Sequence, residues 1–420
     1  MNIIHTKFLK MISIKNDFKT YSLLAAVTIL FFTACNKAPE ELPLPVQPVP
    51  TGKTLAQTIA GTPDDSLYYR MIVRSGLLPV ISNINNSFTV YVAGNPAMRQ
   101  FITAASGGAV PAGSPDAVYS GFISSVLPVA SAAGIVGFNI VPQTLTTAEI
   151  PTTFPNFQYP SILNPAPTIS ALLRLTTFPA TRNGNWLNNI PMTSVNITAA
   201  NGIINHVAAV PTPPSKYLWD RINTDPGLTY LKAAINRADS GATAASSLQG
   251  ALLNIGANLT VFAPTDAAFQ ATLTGAIYQG LVGLGYPADA TTLALASAMA
   301  STPTVFSNPA LYPVLTAQTV KGIVVYHILG TRAFTNNFPT TTTSYPTLLN
   351  GGIPAHPGVA LTAVFGVPFV TSATVKGWGN ATASNLIINA APLTPDPFGT
   401  SDQFYLNGVL QKIDQVLLPQ

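Results

Sequence analysis

The chain has 420 residues, of which 8 % are charged and 47 % hydrophobic, and its formal net charge is +4. So sparse a set of charges gives no electrostatic footprint for nucleic acid, while the apolar side chains suffice for a large core. A single cysteine, Cys35, excludes internal disulfides and any cysteine-based zinc cluster.

Lys7, Lys10, Lys15 and Lys19 make a basic start, followed by the apolar run Tyr21-Ser-Leu-Leu-Ala-Ala-Val-Thr-Ile-Leu-Phe-Phe-Thr-Ala34. Those 14 residues are too few to cross a bilayer, which takes about 20. A basic start, a short apolar core and small residues before a cut define a secretory signal, here over 1–34. Phe32-Thr33-Ala34-Cys35 resembles a bacterial lipobox, so Cys35 is the expected lipid-bearing first residue and membrane anchor of the mature protein. Cleavage removes four lysines and Asp17, leaving 15 basic and 14 acidic residues and a net charge of +1 over 386 residues. The basic balance of the whole chain therefore belongs to its export signal.

Residues 35–53 read as a lipidated tether, because the alternating prolines after Cys35 favour an extended spacer of ~3 Å per residue. Lys37 and Glu40-Glu41 suggest a surface-export tag. That predicts an outer-membrane lipoprotein at the cell surface, with a periplasmic-facing orientation as the alternative. Pro211-Thr-Pro-Pro214 is a second punctuation and the expected boundary between domains over 54–213 and 214–420.

Each half then runs through the same pattern. Helical segments come first, at Thr54–Gly61 and Leu67–Gly76, then at Tyr217–Asn223 and Leu228–Arg237. Leu228, Leu231 and Ile235 follow the spacing of an amphipathic helix. A strand leading into a helix comes next, from Phe88 to Phe101 and from Leu259 to Phe269. Pro264 ends the second of these strands, and Thr265 or Asp266 can cap the helix after it. Each half closes on a tight Asn-Gly turn, Asn201-Gly202 or Asn407-Gly408, with an alternating strand expected beyond it. The chain reads as a diverged tandem repeat.

Three motifs of the second half resemble those of fasciclin (FAS1) domains. They are Thr260-Val-Phe-Ala-Pro-Thr-Asp-Ala-Ala-Phe269, Val325-Tyr-His-Ile-Leu329 and Asn407-Gly-Val-Leu-Gln-Lys-Ile-Asp-Gln-Val-Leu-Leu-Pro419. The first half is a degenerate copy: Val90-Tyr-Val-Ala-Gly-Asn-Pro replaces the first motif, and no Tyr-His pair stands near Gly121–Pro128. The resemblance implies an α+β fold of two tandem domains, each a twisted β-sandwich or wedge with packed helices. It also implies adhesion or extracellular binding of a protein or glycan. The second copy carries extra length at 270–320, rich in Ala and Leu, and at 335–400, rich in Thr, Pro, Gly and Asn. Long polar loops are expected in the latter, and such loops are where specificity usually resides.

In the family the Tyr-His pair is associated with receptor binding, which makes Tyr326 and His327 candidate ligand contacts. The plainer reading places them on a strand, where alternation buries one of two neighbours and leaves the other a structural hydrogen bond. Thr265, Asp266, Asn407, Gly408 and Asp414 read as structural motif residues, and Gln411 stands where the family often has histidine. His206, His327 and His356 lack metalloenzyme spacing, and no catalytic motif, cofactor loop or metal cluster is expected. Gly283-Leu-Gly-Tyr-Pro-Ala288 reads as a surface turn, because Pro287 denies it a strand–turn–helix context. The expected function is a lipid-anchored adhesion or ligand-binding protein, not an enzyme. The alternative is an accessory binding subunit or enzyme of outer-membrane glycan uptake, with Trp378 and Tyr405 as candidate sugar-stacking residues.

Overall fold

The computed structural model describes residues 51–389, 393 and 400–420; the signal segment, Cys35 and the tether through residue 50 lie outside them. Thr54 starts the first helix with a capping box, its hydroxyl accepting from Gln57 N while Gln57 Oε1 accepts from Thr54 N. In the first half α1 (Leu55–Ala60), α2 (Ser66–Ser75) and α3 (Leu78–Ser82) lead into β1 (Phe88–Ala93). They are followed by α4 (Asn95–Ala105), α5 (Asp116–Gly121), α6 (Val129–Phe138) and β2 (Ile140–Val141). Short strands β3 (Tyr159–Pro160), β4 (Thr176–Thr177), β5 (Pro179–Ala180) and β6 (Trp186–Leu187) precede the hairpin β7 (Ile190–Ala199) and β8 (Gly202–Val207).

The second half opens with α7 (Leu218–Thr224), α8 (Thr229–Ala238), α9 (Leu248–Leu253) and β9 (Leu259–Pro264). Next come α10 (Asp266–Gly283), α11 (Ala290–Met299), α12 (Ala317–Tyr326) and β10 (Ile328–Leu329). The remaining strands are β11 (Thr343–Tyr345), β12 (Val359–Phe365), β13 (Val370–Lys376), β14 (Ser384–Asn385), β15 (Gln403–Tyr405) and β16 (Gly408–Ile413). The fold is α+β. Among the described residues no single helix is long and apolar enough to cross a membrane.

The duplication is explicit in the pairing. One sheet runs β2-β1-β8-β7-β6-β5 and another β10-β9-β16-β15. In each, the strand after the first helices lies parallel to the closing strand and antiparallel to a two-residue strand. Individual hydrogen bonds repeat as well. Thr89 Oγ1 donates to Gln143 O and accepts from Leu145 N, as Thr260 Oγ1 does with Thr331 O and Ala333 N.

That register corrects one expectation. Tyr91 N donates to Asn139 O as Phe262 N donates to His327 O, so the first-copy counterpart of Tyr326-His327 is Phe138-Asn139, not a residue near 121–128. The closing strands do not alternate either. β16 is buried along its whole length and β8 nearly so, because each is central in its sheet and covered on both faces.

The stretch 335–400 also departs from the loops expected of it. Its residues 343–385 form a third sheet, β11-β12-β13-β14. Val359, Leu361 and Ala363 point inward on β12 and Val370, Ala373 and Val375 on β13, with threonines between them. A period of two was present on β12, and β13 takes it up only from Ala373. Separate cores fill the first copy and the second, and a third lies under the extra sheet. Residues 50–420 form one compact unit, and a small aromatic cluster of Phe178, Phe334, Phe404 and Val409 joins the copies.

Candidate functional site

The motif residues turn out to be staples. Asn407 Oδ1 accepts from Leu218 N at 3.0 Å and its Nδ2 donates to Leu252 O at 2.8 Å, clamping the start of α7 to the end of α9. Asn201 does the same with Leu55 N and Ile81 O, at 2.7 and 2.9 Å. Glycine follows each asparagine because the neighbouring backbone is close: a Cβ at Gly408 would stand 2.4 Å from Leu259 O, and one at Gly202 1.9 Å from Phe88 O.

Thr265 caps α10 through Ala268 N, whereas the Asp266 carboxylate caps a neighbour. It accepts from Tyr230 N at 3.0 Å and Thr229 Oγ1 at 2.6 Å, at the N-terminus of α8. Asp414 accepts from Asn385 N, Asn385 Nδ2 and Ser384 Oγ, all within 2.9 Å, and so ties β16 to β14.

Tyr326 and His327 straddle a helix end, and both are buried. Strand alternation therefore does not apply to them. Tyr326 Oη donates to Gly358 O at 2.6 Å and accepts from Trp378 N at 2.8 Å. His327 Nδ1 lies 2.8 Å from Ile323 O, and its Nε2 accepts from Leu417 N at 2.8 Å. That pair of bonds requires a neutral ring protonated on Nδ1. Burial pulls the His327 pKa down to about 4. All the polar side-chain atoms of the pair are satisfied internally, so the pair joins the helix, the extra sheet and the chain end rather than facing a ligand.

The other two histidines among the described residues are also engaged. His206 lies against Asp65, at 2.9 Å, and Ser194, at 2.8 Å, while His356 bridges Pro419 O and Gly358 N. Gln411 holds Asp402: its Nε2 donates to Asp402 Oδ1 at 2.8 Å and its Oε1 accepts from Asp402 N at 2.9 Å. Thr335 donates to the same carboxylate, whose pKa burial raises. Among the described residues this carboxylate is the only acid lining a cavity of about 380 Å³ between the copies, where Tyr405 also forms part of the wall. Tyr405 is buried, whereas the Trp378 ring is exposed. Among the described residues no three His, Cys, Asp or Glu side chains come together as a metal site.

A groove of about 600 Å³ lies elsewhere in the second copy. Thr229, Lys232, Ala233, Asn236 and Arg237 form one wall, at the spacing of a single helix face, with Ser240 just beyond. Thr304, Phe306, Ser307 and Tyr312 of the extra 270–320 stretch form the other wall. The Arg237 guanidinium lies 3.7 Å from the Tyr312 ring centre and its Nε donates to Leu315 O at 2.9 Å, which fixes the aromatic edge. Lys232 adds a second cation, donating to Asn223 O at 3.4 Å. The groove thus offers an exposed aromatic, several hydroxyls and amides, two positive charges and the Asp225 carboxylate, which Arg221 and Lys412 hold. The apolar face of α8 was readable from its leucines, and its polar complement was readable by the same period.

No protein-family model matches the chain, and no curated protein matches it in sequence. Among solved structures, it is similar to a FAS1 domain pair from the insect cell adhesion molecule fasciclin I. The identity is 12 % and the TM-score 0.31, over 84 % of this chain and 95 % of that one. A likeness this distant decides neither family nor function.

Proposed function

We propose that this is a fasciclin-type, cell-surface lipoprotein that binds an extracellular ligand and serves attachment, with Cys35 as its lipid anchor. In this reading 54–213 and 214–420 are tandem fasciclin-like domains, the first degenerate, carried on the proline tether. The observation that carries it is the groove between α8 and the 303–312 segment, whose aromatic edge, hydroxyls, amides and two cations suit a polar chain such as a glycan. The repeated hydrogen bonds and the three motifs support the family reading. Binding is favoured over catalysis because Asp402 in the inter-copy cavity and Asp225 in the groove are both engaged within the fold, by Gln411 and Thr335 and by Lys412 and Arg221.

The test pairs a glycan array probed with the full chain with attachment assays on cells lacking it. A bound glycan that the groove variant Tyr312→Ala loses supports the proposal. Unchanged attachment and an empty array would overturn it, and hydrolysis of a polysaccharide would replace it with an uptake enzyme.

A further inference from the structure

Arg332 is 5 % exposed, and its guanidinium lies 5.2 Å from the ring centres of both Phe178 and Phe404. Its Nη2 donates to Leu406 O at 2.8 Å, but its Nε has no hydrogen-bond partner. The ion pairs among the described residues join Arg99, His206, Arg221 and Lys412 to aspartates, and none includes Arg332. Burial lowers its pKa to about 10, so it is still a cation at neutral pH. A buried charge without a counter-charge is costly, and two aromatic faces offset part of that cost.

Arg332 lines a cavity of about 110 Å³ built from both copies, with Gln158, Arg174 and Thr176 from the first and Asn258 from the second. Arg174 holds its place through Nη1, which donates to Ala171 O and Leu173 O at 2.8 and 2.7 Å. Asn258 Oδ1 is buried without a partner, so turning that amide breaks no bond of its oxygen and presents NH2 to the cavity. The geometry points to a binding site for a small oxyanion, held by Arg332 and Arg174 between the two copies. Planar guanidinium forks match an oxyanion edge to edge. The volume takes several waters or one such ion and no sugar ring, which separates this site from the groove on α8. A bound ion would tie the copies together by supplying the charge that Arg332 lacks.

Thermal unfolding of the full chain in detergent tests this, with phosphate, sulfate or acetate exchanged against chloride at constant ionic strength. The expected result is a saturable Tm rise of roughly 2–5 °C with at least one oxyanion, absent in Arg332→Met and weakened in Arg174→Gln. A rise with phosphate or sulfate alone assigns a tetrahedral ion, and a rise with acetate assigns a carboxylate. Asn258→Asp covers the case in which Arg332→Met does not fold. It places a carboxylate in the cavity, so Tm should rise in chloride and the oxyanion increment should vanish. No oxyanion increment in the wild type, or an increment that survives in either Arg332→Met or Asn258→Asp, overturns the site.

Discussion

Lys412 occupies in the second copy the place that His206 occupies in the first. Each follows its Asn-Gly pair by the same interval, His206 beside Val92 of β1 and Lys412 beside Ala263 of β9. Each reaches a buried aspartate in the loop after the first helix of its copy, 2.9 Å from His206 Nε2 to Asp65 Oδ1 and 2.9 Å from Lys412 Nζ to Asp225 Oδ2. The duplicated fold keeps a base and an aspartate at this point, although the base changes from histidine to lysine and the loop length is not kept.

The two pairs should respond unequally to loss of the acid. Asp225→Ala removes the carboxylate that Lys412 and Arg221 share, the latter with its Nη2 3.0 Å away, so unfolding in urea should show a loss of about 3–5 kcal/mol. Asp65→Ala leaves an imidazole that keeps Ser194 Oγ at 2.8 Å as a partner, and the loss should be about 1–3 kcal/mol. His206→Lys should fold. Equal losses for the two aspartates would overturn the expected inequality.

Asn407→Ala unpairs a buried N–H and a buried carbonyl together, Leu218 N and Leu252 O, and should cost about 2–4 kcal/mol by the same measurement. Asn201→Ala should behave alike. Gly202→Ala should be worse than Gly408→Ala, since its φ of +149° is strained for alanine and its Cβ would overlap Phe88 O more deeply. A silent Asn407→Ala would mean that the signature serves something other than the clamp.

Much of this arrangement was legible because it is local. Thr265 as a cap, the strand ending at Pro264 and the amphipathic helices follow from neighbours a few residues apart. Non-local relations were not legible. Asp266 serves α8 and not its own helix, and Phe138-Asn139 takes the place of Tyr326-His327 only through the β1–β2 register. The sheet over 343–385 was missed because its alternation is clear only in Val359–Ala363, while on Val370–Lys376 the exposed pair Thr371 and Ser372 breaks the period. The groove joins residues some 70 positions apart, Arg237 and Tyr312 among them, and no spacing in the chain announces that contact.

Within the groove, Tyr312→Ala should weaken a glycan ligand about tenfold, whereas Trp378→Ala should leave it unchanged although that ring is more exposed. Arg237→Met separates two roles of the arginine. It keeps a long side chain near Tyr312 but removes the charge, so a neutral glycan should lose little and an acidic one should lose most of its affinity. Isothermal titration with a matched pair of glycans reads the difference. Loss in Trp378→Ala alone would move the site to the surface around Trp378.

His327 makes stability depend on pH in a direction its hydrogen bonds dictate. Its Nε2 accepts from Leu417 N, so a proton there would set two N–H groups against each other, and burial already disfavours the charged ring. The folded pKa of about 4 lies below the ordinary value of 6.5, so the unfolded chain takes up the proton first as pH falls. The contribution of His327 is therefore fully present above pH 6.5, is lost progressively between 6.5 and 4, and levels off below that. The span corresponds to about 3 kcal/mol. His327→Gln removes the titration and should start less stable at pH 7.5, yet lose less on acidification than the wild type. Asp402, held alike in both proteins, cancels in the comparison. Urea unfolding at intervals from pH 7.5 to 4 measures both curves, and parallel curves would show that the ring is not held neutral as its two bonds require.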